Sequence, residues 1–127
     1  MSEQQTEQKL RVTLGEDDVI RQVLTHDISP QLLKEDLENL LRLEGELLPQ
    51  GKPIRVLIDS SEVRNASSGT RKQALYNLTQ MHYERIGIFG TNPYLTQLVN
   101  WILRATGRYG RIKVFPNEEA ALTWLKS

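Results

Sequence analysis

Short runs of branched apolar residues alternate with longer stretches of helical periodicity along almost the whole chain, and this alternation restricts the fold more than any other feature. The run IRVLIDS (54–60) is short, nearly continuous and apolar, the pattern of a strand covered on both faces of a parallel sheet. RIGIFG (85–90) and RIKVF (111–115) read as two more strands. Before them, LRVTL (10–14) places Leu10, Val12 and Leu14 on one face. GEDD then supplies turn residues, and VIRQVLT (19–25) reads as a second strand, so the two suggest a hairpin. Helical stretches fill the intervals. SPQLLKEDLENLLRLEGELL opens with Ser29 as cap and Pro30 at the first helical position. Its Leu33, Leu37, Leu40 and Leu41 share a face, Glu35, Asp36 and Glu38 fall elsewhere, and Gly45 is a candidate terminator. TRKQALYNLTQM places Ala74, Leu75, Leu78 and Met81 at helical spacing. TNPYLTQLVNWILRATG has Asn92 as cap, a stripe of Leu95, Leu98, Val99, Ile102 and Leu103, and Gly107 as its stop. PNEEAALTWLKS closes the chain as a helix whose Glu118 and Glu119 complement its N-terminal dipole. The order β-β-α-β-α-β-α-β-α predicts an α/β fold on right-handed crossovers, with about five strands in a mixed sheet and about four helices.

A chain of 127 residues suits one domain. The expectation is a polar, mobile tail over 1–8 and a single domain over 9–127. With 39% apolar and 25% charged residues, an ordinary core is expected. No stretch approaches the roughly 18 uninterrupted apolar residues of a membrane span, and MSEQQTEQK lacks the apolar run of a secretory signal. With no cysteine, disulfides and thiolate metal sites are excluded, and a cytoplasmic location is the simplest expectation. The net charge is zero but unevenly placed: residues 1–50 carry −6 and residues 51–127 carry +6. That asymmetry fits solvated helix faces, a basic surface for an anionic partner, or head-to-tail self-association as a homodimer.

The richest stretch is VLIDSSEVRNASSGT (56–70), where a strand ends in Asp59, a polar loop follows, and Ser67, Ser68, Gly69 and Thr70 enter a helix. A helix N-terminus has unpaired N–H groups and partial positive charge, which suit an anion. Arg64 lies just before this corner, and Arg71 and Lys72 lie in the first turn, where cations are normally unfavourable. The candidate partner- or anion-binding set is therefore Arg64, Ser67, Ser68, Gly69, Thr70, Arg71 and Lys72. Three readings stand side by side: a plain cap by Ser67, Ser68 or Thr70 worth about 1 kcal/mol, contact with an anionic partner group, and phosphorylation of Ser67.

Two stretches carry a family resemblance. VLIDSSEVRNASSGTRKQAL has a strand ending in Asp, a hydroxyl–acid–valine turn and Ser-Ser-Gly entering a helix. IKVFPNEEAALTWLKS has a strand, a Phe, an acidic helix start and an A-L-x-W-L ending. Together with the element order over about 9–127, they resemble the STAS domains of bacterial anti-sigma-factor antagonists, and more closely their SpoIIAA-like relatives. The resemblance implies a regulatory module that is not an enzyme, works through a protein partner and needs no cofactor. In phosphorylatable STAS domains an Asp-Ser-Ser-Gly motif receives phosphate on its first serine. The matching residues are Ser67 and Gly69, but the aspartate is replaced by Ala66, and Arg71, Lys72 and Gln73 stand where apolar residues are usual. The likeness of some SpoIIAA-like members to CRAL-TRIO lipid-transfer domains implies the alternative, a carrier or sensor of a small apolar ligand or lipid.

Other residues offer less. Asp59 lacks the acidic pair of a receiver-type phospho-acceptor and reads as a strand-end aspartate accepting turn N–H groups. GIFGTNP is not a dinucleotide fingerprint; it reads as close packing at Gly90 and a cap at Asn92. Arg104, Arg108, Arg111 and Lys113 with Tyr109 form a basic run without aromatic platforms, so nucleic acid is not the expected partner. Trp101 lies off its helix stripe and is a candidate for an edge or a partner contact, whereas Trp124 is expected in the core. His26 and His82 have no acids or cysteines at ligand spacing, so neither a zinc site nor a Ser-His-Asp arrangement is expected.

Overall fold

The computed structural model describes residues 11–107 and 110–127. The expected tail over 1–8, Leu10 of the first strand, and Arg108 and Tyr109 of the basic run lie outside the described residues. Within them, five strands form one sheet in the order β1 (Val12–Leu14), β2 (Ile20–Val23), β3 (Arg55–Asp59), β4 (Arg85–Phe89) and β5 (Ile112–Phe115). The β1–β2 pair is an antiparallel hairpin, and the other neighbours are parallel. The helices are α1 (Pro30–Leu47), α2 (Ser68–Gln80), α3 (Pro93–Thr106) and α4 (Glu118–Leu125), with a short 3-10 turn at Leu48–Gln50. This is the mixed α/β sheet that the alternation predicts.

Because β2 to β5 lie in chain order, each crossover steps the same way across the sheet, and α1, α2 and α3 collect on one face. There Ile20, Val56, Ile86 and Ile112 meet Leu37, Leu40, Leu43 and Leu47 of α1, with Leu78, Val99 and Leu103 closing over them. The other face carries a smaller cluster: Val19 and Leu57 pack on Ala121 and Leu125 of α4. Gly87 allows that approach, since a Cβ there would lie 3.4 Å from the Ala121 Cβ.

The capping signals act as the sequence implies. Ser29 Oγ accepts from Leu32 N at 3.2 Å with Pro30 at the first turn, and Asn92 and Asn117 cap α3 and α4 in the same way. Three expectations change. Gly45 does not end α1, because burial of Leu43 and Leu47 carries the helix through it. The apolar stripe of α1 therefore runs through Leu43 and Leu47, while Leu41 is exposed. Trp124 is only partly buried. It packs against Phe115 at a ring separation of 5.4 Å, with Arg85 and Lys113 over its ring at 5.0 and 5.2 Å.

The hairpin turn is tied to the end of the chain by charge. Asp17 accepts two bonds from the Arg21 guanidinium, at 2.9 and 3.0 Å, and meets Lys126 Nζ at 2.9 Å. The Arg21 hydrogen bond, helped by Lys126 and the Val19 N–H and opposed by partial burial, holds the Asp17 carboxyl well below the usual carboxylate range. A depressed carboxylate contributes stability that is complete above its unfolded pKa of about 3.9 and is lost as pH falls through the folded value. In chemical denaturation, Asp17→Asn is expected to cost about 1 kcal/mol at pH 7, a value limited by solvent screening. The gap between variant and wild type should narrow steadily below about pH 4. A gap independent of pH would contradict this role.

Candidate functional site

The end of β3 and the start of α2 are held by a set of local bonds. Asp59 Oδ1 accepts from the Ser61 N–H at 3.0 Å and from Ser61 Oγ at 2.6 Å. Both bonds belong to a strand-end turn. Ser60 donates its N–H and its hydroxyl to Phe89 O at 3.0 and 2.9 Å, tying the loop to β4. Asn92 acts in two directions: Oδ1 caps α3 through Leu95 N at 2.8 Å, while Nδ2 donates to the carbonyls of Val63 and Arg64, each at 3.2 Å. Val63 is buried beneath the loop. The loop is thus positioned by the neighbouring β4–α3 corner more than by its own sequence.

At the corner itself, Ser67 is the cap of α2. Its Oγ accepts from Thr70 N at 3.1 Å and donates to the buried Thr70 Oγ1 at 2.9 Å. Ser67 and Ser68 are exposed, as are Arg64 and Lys72, while Gly69 is half-buried. Arg71 folds back over the corner, its Nη1 donating to Ala66 O at 3.2 Å and to Tyr94 Oη at 2.9 Å. Tyr94 also donates to Ala66 O at 3.1 Å. No described carboxylate pairs with Arg71 or Lys72. The Arg64 carbonyl is held by Asn92, but its guanidinium has no partner among the described residues, so the structure ties Arg71, and not Arg64, to the corner.

The capping reading gives a direct expectation. Ser67→Ala should lower the unfolding free energy by about 1 kcal/mol, read as a shift in the urea midpoint at unchanged slope. No measurable change would mean that Thr70 or water replaces the cap.

Sequence reasoning did not supply the other wall of this corner. Ser68, Arg71 and Lys72 face Tyr94, Gln97 and Trp101 of α3 across an open groove. Tyr94 is 38% exposed and Trp101 50% exposed. For Trp101 the position off the apolar stripe was a usable signal, whereas nothing in the sequence brings Tyr94 to Ala66.

Beneath the corner lies a cavity of about 140 Å³ between the sheet and α1, α2 and α3, lined mostly by apolar side chains such as Ile58, Ile88, Leu78 and Val99. Ala66, Thr70 and Arg71 of the corner form part of its wall.

The two histidines do find acids in space. His82 Nδ1 lies 3.2 Å from Glu44 Oε1, and the His82 backbone N–H donates to Glu44 Oε2 at 2.9 Å, so a glutamate only 3% exposed clamps the α2–β4 connection. His26 stands 3.9 Å from Glu62 at the surface. Neither pair grows into a metal site: among the described residues no three His, Cys, Asp or Glu side chains cluster. Arg104, Arg111 and Lys113 of the basic run are exposed.

A hairpin-led mixed sheet with three helices on one face and one on the other defines a STAS-type α/β domain. The SpoIIAA-like family model matches residues 20–126, and the chain belongs to that family. Of solved structures, it resembles the NMR structure of the protein TM1081, with a TM-score of 0.62 at 12% identity over 94% of this chain and 90% of that one. It also resembles an uncharacterised protein of the DUF3478 family with a SpoIIAA-like fold from Shewanella loihica PV-4, with a TM-score of 0.49 at 24% identity over 90% and 89% of the two chains. No curated protein matches.

Proposed function

We propose that this protein is a non-enzymatic regulatory module that docks a protein partner on the groove between the Ser67 corner and α3. One observation carries the reading: two exposed aromatic rings, Tyr94 and Trp101, share a groove with Arg71 and Lys72, for which no described carboxylate serves as partner. Tyr, Trp and Arg are the side chains that dominate binding energy at interfaces when a partner covers them. The helix N-terminus and the two cations favour an acidic or phosphorylated group on that partner. Phosphate on Ser67 itself is the regulatory variant of the same idea. It would add about −1.5 to −2 charges beside Arg71 and Lys72 and compete with the partner's anion. The compartment proposed is the cytoplasm. Among the described residues no helix is long and apolar enough to cross a membrane.

The test is a pull-down from the native cell with wild type, Trp101→Ala and Arg71→Glu/Lys72→Glu, with phosphosite mapping of the wild-type chain. A partner retained by wild type and lost by both variants supports the reading. Retention by both variants contradicts it.

The alternative reading, a sensor or carrier of a small apolar ligand, is favoured by the cavity. Its volume is close to the roughly 150 Å³ of an engineered apolar cavity that admits benzene.

A further inference from the structure

We propose that the internal cavity and the outer groove form one bipartite site for an apolar-tailed carboxylate, with the tail among the aliphatic side chains and the carboxylate on Arg71. The proposal rests on the small-ligand reading and adds the chemistry of the head group. Arg71 and Leu98 line both spaces, so the two adjoin at that pair. A cavity of about 140 Å³ accepts a group on the scale of six carbons, the size of benzene in an apolar cavity of similar volume.

The remaining polar side chains of the cavity wall are already engaged. Ser60 donates to Phe89 O, and Thr70 accepts from Ser67. Asn77 donates to Leu33 O and accepts from Gln73, Gln22 donates to Asp36, and Thr91 pairs with Thr96. Among the described residues Arg71 is the one charged side chain in the wall, and its bonds involve Nη1 only. Its Nε and Nη2 donors remain for a ligand. A planar guanidinium fork matches a planar carboxylate with two parallel bonds. The first turn of α2 adds the favourable field of a helix N-terminus. A neutral amphiphile would leave that cation unneutralised, and a bare anion would leave the cavity empty.

The experiment is calorimetric titration of wild type, Arg71→Met and Ala74→Leu with heptanoate, 1-heptanol, heptyl phosphate and inorganic phosphate. Circular dichroism confirms that each variant folds. Ala74 lines the cavity, so the leucine fills part of it. The expected result is heptanoate binding to wild type at least about tenfold tighter than 1-heptanol. Arg71→Met should abolish that preference while still binding the alcohol, and Ala74→Leu should weaken both. Equal affinity for acid and alcohol in wild type overturns the head-group assignment and leaves the apolar-ligand reading standing. Binding of neither overturns both. Tighter binding of heptyl phosphate, or inorganic phosphate binding as well as heptanoate, overturns the carboxylate assignment.

Discussion

Replacing Asp36 by alanine is expected to lower the unfolding free energy by about 3 kcal/mol or more, among the largest single losses available to this chain. Asp36 is only 2% exposed. Its Oδ1 accepts from Arg11 Nε at 3.0 Å and its Oδ2 from Gln22 Nε2 at 3.1 Å. Arg11 also reaches Leu32 O and Glu35. One helical carboxylate thus clamps both strands of the leading hairpin to α1. Removing it strands the buried Gln22 amide and leaves a partly buried guanidinium with only its longer bonds to Leu32 O and Glu35, so much of the desolvation of those groups is then uncompensated. The double variant Arg11→Met/Asp36→Leu should recover much of the loss, because it removes both charges together. Urea denaturation checks both: a single-variant loss below about 1 kcal/mol, or no recovery in the double variant, would contradict the clamp.

The second large effect is expected at Gly90. Its φ is +81°, in the left-handed region that costs an L-residue about 1–2 kcal/mol. The packing adds to this: a Cβ there would lie 2.8 Å from the Ser61 Cβ and 2.9 Å from the Ser61 Cα and N. The obstruction is largely backbone, so no rotamer change relieves it, and overpacking of this kind costs about 1–3 kcal/mol more. Gly90→Ala should therefore destabilise by about 2–4 kcal/mol. The consequence for function follows from position. Ser61 belongs to the loop that ends at the Ser67 corner, and the alanine must push that loop away from β4. Amide exchange should rise over residues 60–67 in the variant even where the protein stays folded. Unchanged exchange there, with a stability loss under about 1 kcal/mol, would mean the loop is not braced by this contact.

The order of elements was legible in the sequence because each strand and helix carries its own signal. IRVLIDS and RIGIFG are short runs of mostly apolar residues, and Ser29-Pro30 and Asn92-Pro93 announce the helices they cap. A hydroxyl cap for α2 was legible for the same local reason, although the sequence left Ser67, Ser68 and Thr70 open and only the structure selects Ser67. What escaped reading depends on partners distant along the chain. Asp36 and Glu44 look like solvated charges on α1, yet both are buried, because Arg11, Gln22 and His82 arrive from other elements. Gly45 reads as a stop, but the burial of Leu47 outweighs its poor helix propensity. The candidate site divides in the same way. Its serines and cations are contiguous in sequence, whereas its aromatic wall comes from α3, and the Tyr94–Ala66–Arg71 triangle exists only in three dimensions.

A partner's negative group is proposed to dock at the Ser67 corner. The most direct measurement is photo-crosslinking in the native cell, with a photoreactive residue at Ser68 in one version and at the exposed Thr123 of α4, on the opposite sheet face, in the other. The predicted result is a discrete crosslinked species from position 68 that disappears when Arg71 and Lys72 are changed to glutamate, with none from position 123. Equal crosslinking from both positions, or a species at position 68 that survives the charge reversal, would rule out charge-directed docking at that corner.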